Sequence, residues 1–206
     1  MEFRIKGLDE VKDMLDPKRL KKVITRTLNK VGTQALNAAS REIRSVYNIK
    51  KARLDAGLKL TKVALATSWE NSAVIISARG KPLGLQNFGA RQTRKGVTVL
   101  VRKDRGRKVV EGGFMGKGVS FGEHGLGAGG IGTTNLIWKR TGDAKRPMSK
   151  GRYAGTGILR EPIQKLNMTD TVGMMNVIGS EAVKKIVEGK MDQIFDHEFE
   201  WEMGKK

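Results

Sequence analysis

Apolar residues recur every three or four positions between residues 17 and 46, and this spacing predicts one long amphipathic helix. Asp16 and Pro17 supply an N-cap and a proline at the first helical position. Much of the remaining helix surface is cationic, which we interpret as a solvated back rather than a DNA-contacting face. The apolar stripe comprises Leu20, Val23, Ile24, Leu28, Val31, Ala35, Leu36, Ala39, Ile43 and Val46.

The helical period gives way to strand patterns after residue 57. A helical turn over 49–56 ends at Gly57, and residues 58–68 and 73–78 then read as two strands joined by a turn over 69–72.

The central part of the chain, residues 91–108, combines short β-branched runs with dense positive charge. Residues 97–101 and 109–110 are predicted to form a strand pair, and 104–107 supply the turn between them. Asp104 is the one acid in this segment. We predict that its basic residues face the DNA channel or a partner: Arg91, Arg94, Lys95, Arg102, Lys103, Arg105, Arg107 and Lys108.

Residues 116–135 hold eight glycines and are predicted to form a long loop insertion without regular structure. Gly125, Gly127 and Gly130 have the spacing of a dinucleotide-binding loop. The expected context is missing, because no strand is predicted before them and no amphipathic helix follows directly. We therefore interpret the segment as a loop that becomes ordered in an assembly.

The C-terminal part is predicted to hold a short strand over 136–140, an extended segment over 158–166 and helices over 171–178 and 180–201, with Ser180 as an N-cap. The end of the last helix is acidic, unlike the rest of the chain. We predict that its carboxylates contact a neighbouring subunit: Asp192, Asp196, Glu198, Glu200 and Glu202.

Composition narrows the function classes. The 206 residues include 40 Lys and Arg against 21 Asp and Glu, a formal charge of +19 that favours a polyanion or an acidic protein surface as partner. Aromatic residues make up 5%, which does not favour a stacking platform for single strands. The absence of cysteine excludes disulfides, thiolate zinc sites and cysteine nucleophiles. No membrane span or signal peptide is predicted, which is typical of a soluble intracellular protein.

Catalytic patterns are missing from the sequence. His124 and His197 lack metal-ligand spacing, and neither a nucleophile elbow nor a phosphate-loop lysine occurs. A metal-dependent nuclease, the enzyme hypothesis we considered, needs carboxylates at strand ends, where this chain carries lysine and arginine. We predict no enzyme activity, no cofactor and no metal.

The elements together predict an α+β fold. A mostly antiparallel sheet from the strands between residues 58 and 140 would pack against the long N-terminal and C-terminal helices. We expect a single domain over 1–206, with the loop insertion at about 116–135.

The order of several segments resembles the phage minor tail protein Z family, also described as tail-completion (head-tail joining, neck) proteins. After the long helix come PLGLQNFGARQTRKGVTVLVRK, VVEGGFMGKG, IWKRTGDAKRPM, EPIQKL and a terminal FDHEFEWEM. The resemblance runs from about residue 3 to residue 203. Two segments depart from it: the glycine loop is expanded, and GRYAGTGILREP replaces a more compact stretch.

The resemblance implies a structural virion protein without catalysis. It would form a hexameric ring around the genomic DNA at the head-proximal end of a phage tail, and it would contact the tail tube and the neck or connector proteins. It would lie in the host cytoplasm during assembly and would not contact a membrane. The alternative from composition alone is a free-standing basic nucleic-acid-binding protein.

Charge numbers limit how much of the basic surface can face DNA in such a ring. Six copies carry 6 × 19 = +114 formal charges, whereas duplex DNA offers one charge per ~1.7 Å, or about 24 over a depth of ~40 Å. We therefore expect only part of the basic segment to face DNA. The remainder is expected to meet acidic neighbours, including the C-terminal helix of the next subunit.

Overall fold

A computed structural model describes residues 16–61, 73–80, 82–119, 133–147 and 155–204. The fold is α+β with antiparallel strand pairing, as predicted. Its contacts divide into two compact units. The first comprises the described parts of 1–45, 50–81 and 170–206, and the second those of 46–49 and 82–169. The expectation of a single domain stays a prediction.

The first unit is built on helix α1 (Pro17–Val46), which confirms the predicted long helix. The backbone carbonyl of Asp16 accepts from the amides of Arg19 and Leu20 at 2.8 and 3.0 Å, and its carboxylate accepts from the Lys18 amide at 3.2 Å. The predicted apolar stripe is largely buried, and the small residues Gly32 and Ser40 are buried with it. The stripe therefore packs into the core, with the basic residues largely on the remaining surface.

Three short elements and a long helix complete the first unit. Helix α2 (Lys51–Asp55) leads into strand β1 (Leu58–Thr61), which pairs antiparallel with β2 (Ile75–Ala78). Both strands were predicted, while the turn predicted over 69–72 lies outside the described residues. Helix α3 (Thr171–Met174) continues through a π-helical turn (Met175–Gly179) into α4 (Ser180–Met203).

The prediction that Ser180 caps the last helix is wrong. Ser180 has helical dihedral angles, because the π-helical turn makes the chain continuous from α3 to α4. Its hydroxyl donates to the Asn176 carbonyl at 3.1 Å instead of accepting an amide. The N-cap lies at Asp170, whose carboxylate accepts from the Gly173 amide at 2.7 Å.

The second unit contains two three-stranded antiparallel sheets and a short strand pair. One sheet has the order β3-β4-β5 and the other the order β10-β7-β6, and β8 pairs with β9. Leu85, Val97, Val99 and Ile137 form the core between the two larger sheets. The strands are β3 (Arg91–Thr93), β4 (Gly96–Val99), β5 (Lys108–Glu111), β6 (Gly113–Val119), β7 (Thr133–Arg140), β8 (Arg146–Pro147), β9 (Leu159–Arg160) and β10 (Ile163–Lys165).

Two details of the predicted sheet differ from the structure. Within the described residues the strands form four small sheets instead of one, because each strand pairs mainly with a near neighbour in sequence. The loop predicted over 116–135 is wrong at its ends, where 116–119 and 133–135 extend β6 and β7 by pairing with each other. That ladder outweighs the low strand propensity of glycine. The extended segment predicted over 158–166 is confirmed by β9 and β10.

Candidate nucleic-acid interface

The sheet β3-β4-β5 carries the basic residues that the sequence singled out. Val97 and Val99 of β4 are buried in the core of the second unit, so the alternate residues of this strand point away from it. The hairpin between β3 and β4 turns at Arg94 and Lys95. Gly96 closes this turn at φ +144°, where a Cβ atom would lie 2.1 Å from the Val110 carbonyl oxygen. The turn therefore requires glycine at this position.

Strand β3 was not predicted, although it anchors the basic hairpin. Its residues are all exposed and show no apolar alternation, so only the pairing with β4 reveals the strand. The Gln92 side chain donates to the carbonyls of Thr93 and Gly96, both at 3.2 Å, and accepts from the Met115 amide at 2.7 Å. Gln92 thereby ties the hairpin to β6 and holds its cationic turn in place.

The cations lie in two groups at opposite ends of this sheet. Arg94 and Lys95 form the turn at one end, while the connection from β4 to β5, with Lys103, Arg105 and Lys108, lies at the other. The four residues of β4 separate the two groups by about 13 Å at ~3.4 Å per residue. Arg91 lies toward the second group, opposite Thr98. The surface therefore has two cationic ends rather than one continuous basic patch.

Arg102 has a structural role within the second unit. Its guanidinium donates to both carboxylate oxygens of Asp104, at 3.0 and 2.9 Å, and lies 5.6 Å from the centre of the Tyr47 ring. The Arg102 hydrogen bonds hold the pKa of Asp104 below its ordinary value, and Asp104 raises the pKa of Arg102. The single acid of the basic segment is thus used to fix one of its arginines.

Arg107 is also engaged inside the unit, since it donates to the Gly89 carbonyl at 2.8 Å. Of the eight basic residues predicted to face DNA or a partner, all except Arg102 are exposed. Arg102 and Arg107 hold the β4-to-β5 connection, to which the exposed Lys103 also belongs. The exposed Arg91, Arg94, Lys95, Arg105 and Lys108 present their charges to solvent. The sequence contained no signal for this division apart from Asp104 two residues after Arg102.

Two of the five predicted interface carboxylates pair within the first unit. Glu198 and Glu202 of α4 are buried, at 3% and 4% exposure. Lys30 donates to Glu198, and Arg26 donates to Glu202 at 2.8 Å. The Arg26 guanidinium also lies 4.4 Å from the centre of the Trp201 ring. Both glutamates therefore hold α4 against α1.

The other three of the five predicted interface carboxylates lie away from this contact. Asp192, Asp196 and Glu200 are spaced four residues apart and so follow one face of the helix. Asp196 and Glu200 are exposed, and Asp192 is partly buried. The prediction of a contact with a neighbouring subunit is carried forward for these three residues.

The described part of the chain lacks a metal-binding cluster and a membrane-spanning helix. No group of three or more His, Asp or Glu residues there is placed to hold a metal ion. His197 is exposed on α4, and His124 lies outside the described residues. None of the described helices combines the length and the apolar character needed to cross a bilayer.

Comparisons with protein-family models, with curated proteins and with solved structures give no match for this chain.

Proposed function

We propose that this chain is a structural virion protein that completes the head-proximal end of a phage tail, with the sheet β3-β4-β5 facing the DNA channel. The observation that carries the proposal is that this sheet has a group of exposed cations at each of its two ends. Arg91, Arg94, Lys95, Arg105 and Lys108 present exposed charges on a surface where Arg102 and Arg107 are held by internal hydrogen bonds. The order of sequence segments described above supports the phage assignment.

The spacing of the two ends suits duplex DNA. A separation of about 13 Å is close to the major-groove width of about 12 Å, so a duplex lying across the sheet offers phosphates of both strands to the two groups. A few phosphate contacts per subunit give a modest, salt-dependent attraction rather than a tight grip. Such an attraction suits DNA that must pass through a ring and leave it.

A ring also requires contacts between copies, and α4 offers one. Asp196 and Glu200 are exposed and share one face of α4 with the partly buried Asp192, and this acidic face is opposite in sign to the cationic ends of the sheet. We infer that cations turned away from DNA meet this face on the next subunit. The tail tube and the neck or connector proteins would then contact the two rims of the ring.

The experiment is the oligomeric state of the purified chain without DNA, measured by native mass spectrometry and negative-stain electron microscopy. The proposal predicts rings, with six copies expected, and fewer rings for Asp196→Lys combined with Glu200→Lys. A matched control is Glu181→Lys, which changes an exposed acid at the other end of α4.

The alternative is a free-standing nucleic-acid-binding protein, favoured by the net charge of +19. A chain that stays monomeric and binds bare duplex tightly, with a steep salt dependence, would support this alternative and contradict the ring.

A further inference from the structure

The sheet β10-β7-β6 places two aromatic side chains next to each other on one face. Its register sets Trp138 of β7 between Phe114 of β6 and Lys165 of β10, in one row across the sheet. The next row on the same face pairs Arg140 with Ile163. Phe114 and Trp138 are 24 positions apart in sequence, so only the strand register reveals the pair.

This face is opposite to the core of the second unit. Ile137 is fully buried, and Met115, its direct partner on β6, packs against the same core cluster. Side chains alternate along a strand, so Phe114, Trp138 and Arg140 point the other way. Leu136 lies on the same face as Trp138 but is buried, so the face is inaccessible at that end. The open part is therefore the end that carries Trp138, Arg140 and β10.

Gly116 provides the space that the indole ring occupies. A Cβ atom on Gly116 would lie 3.2 Å from Cδ1 and 3.4 Å from Nε1 of Trp138, and 3.8 Å from Cε2 of Phe114. The ring of Trp138 thus leans across β6 beside Phe114. Both aromatic residues are partly exposed. Gly116, predicted to begin a loop without regular structure, is here a strand position that makes room for a tryptophan.

Cations border the aromatic pair on its open side. The Arg140 guanidinium lies 5.9 Å from the centre of the Phe114 ring, and Arg140 and Lys165 are both exposed. Ile163, at 46% exposure, extends the apolar strip between them. The sequences of β6, β7 and β10 contain no Asp or Glu. Glu161, two residues before Ile163, accepts from the Gly142 amide at 2.8 Å. The strand residues of this face therefore offer a ligand flat apolar surface and positive charge.

We propose that this face, the Trp138 platform (Phe114, Trp138, Arg140, Ile163 and Lys165), binds single-stranded nucleic acid. A base stacks on the Trp138–Phe114 surface, while Arg140 and Lys165 contact the phosphates on either side. Aromatic side chains within a positively charged surface are the combination with which proteins hold single strands. The platform goes beyond the proposed function, because a duplex keeps its bases paired and offers no free base to stack.

The test is the affinity of the full chain for a labelled oligothymidylate of about 12 nucleotides, within the ~4–16 nucleotides of a single-strand site. Trp138→Leu keeps an apolar side chain and removes the planar ring. We expect it to weaken binding about 5- to 150-fold, which corresponds to about 1–3 kcal/mol for one stacked base. The slope of log K against log salt should stay unchanged, because stacking releases no counterions.

A second pair of variants keeps the test valid if Trp138→Leu disturbs the fold. Ile163→Glu places a negative charge on the platform, and Ile75→Glu places one at a similarly exposed isoleucine on β2. Only Ile163→Glu should weaken binding of the oligothymidylate. Arg140→Ala combined with Lys165→Ala should reduce the salt slope by about 1.4.

Two outcomes would overturn the proposal that the Trp138 platform binds single-stranded nucleic acid. One is unchanged oligothymidylate affinity in both Trp138→Leu and Ile163→Glu. Another is an equal loss of affinity for duplex DNA of the same length, which would mean that binding at this face does not require an unpaired base. Failure of the proposed ring would show separately, in the oligomeric state and in the response of duplex binding to changes at Arg94 and Lys95.

Discussion

The two units of this protein use their positive charges differently. In the first unit, Arg26 and Lys30 of α1 pair with the buried carboxylates of Glu202 and Glu198. In the second unit, most cations of the sheet β3-β4-β5 are exposed at its two ends. The number of basic residues in a unit therefore does not indicate whether they stabilise the fold or contact a partner. A basic residue beside a buried acid stabilises the fold, whereas an exposed one is available to a partner.

The largest effect is expected when the ionic contact between α1 and α4 in the first unit is removed. Arg26→Ala removes the cation that pairs with the buried Glu202 carboxylate at 2.8 Å and removes the contact with Trp201. We expect the free energy of unfolding, measured by urea denaturation, to fall by about 3 kcal/mol.

Arg41→Ala is the matched control, since Arg41 is exposed on the same helix and should change stability by less than about 0.5 kcal/mol. Combining Arg26→Met with Glu202→Leu should recover most of the loss, because the buried charge is then removed as well. A loss of similar size at Arg41 would contradict the distinction between paired and solvated cations.

The next effect concerns DNA binding by the second unit. Arg94→Glu combined with Lys95→Glu should reduce the salt slope of duplex binding by about 2, as expected for two lost phosphate contacts. The stability of the chain should change little, because both side chains are exposed at a turn. Fluorescence anisotropy at several salt concentrations measures the slope. Lys22→Glu combined with Arg41→Glu on α1 is the control. An equal change in the salt slope for this control would contradict the role assigned to the sheet.

Charge reversal at Arg105 alone tests the role in DNA binding of the other end of the sheet. Arg105 is exposed, and Arg105→Glu should reduce the salt slope by about 1 or more while leaving the fold intact. Arg107→Glu should instead disturb the β4-to-β5 connection, since Arg107 holds the Gly89 carbonyl. Hydrogen exchange of residues 100–108 distinguishes the two: faster exchange is expected for Arg107→Glu only.

The smallest expected effect is a pH dependence at Asp104. Its folded-state pKa is lowered from the ordinary value of 3.8 by the hydrogen bonds from Arg102. A lowered pKa contributes stability that is present above pH 3.8 and is lost as the pH falls through the folded-state value. Asp104→Asn should therefore be less stable than the unchanged chain near neutral pH and equally stable at the acid end. A difference that persists unchanged as the pH falls well below 3.8 would point to another cause.

The sequence predicted the elements that have a local pattern, and it did not predict those that depend on contacts between residues far apart in the chain. Helix α1 was predicted because its period extends over 30 residues and Asp16-Pro17 marks its start. The partners of Glu198 and Glu202 are 168 and 176 residues away in sequence, so no local pattern indicates that these acids are buried. Strand β3 has three exposed residues and exists through its pairing with β4.

The aromatic platform was missed for the same physical reason. An aromatic content of 5% does not favour base stacking when it is averaged over the chain. Phe114 and Trp138 nevertheless meet, because the β6–β7 register sets them side by side and Gly116 leaves room for the indole. Composition favours a polyanion or an acidic protein surface as partner, and this stays a prediction. The place where such a partner would bind depends on pairing between distant strands, which composition does not contain.

The measurement that tests the central claim most directly is an electron cryo-microscopy reconstruction of phage particles that contain this chain with a small tag. We predict a ring of density between the head connector and the tail tube, with the sheet β3-β4-β5 facing the DNA. Particles in which the tag is absent, or a ring in which Arg94 and Arg105 face away from the lumen, would contradict the proposed function.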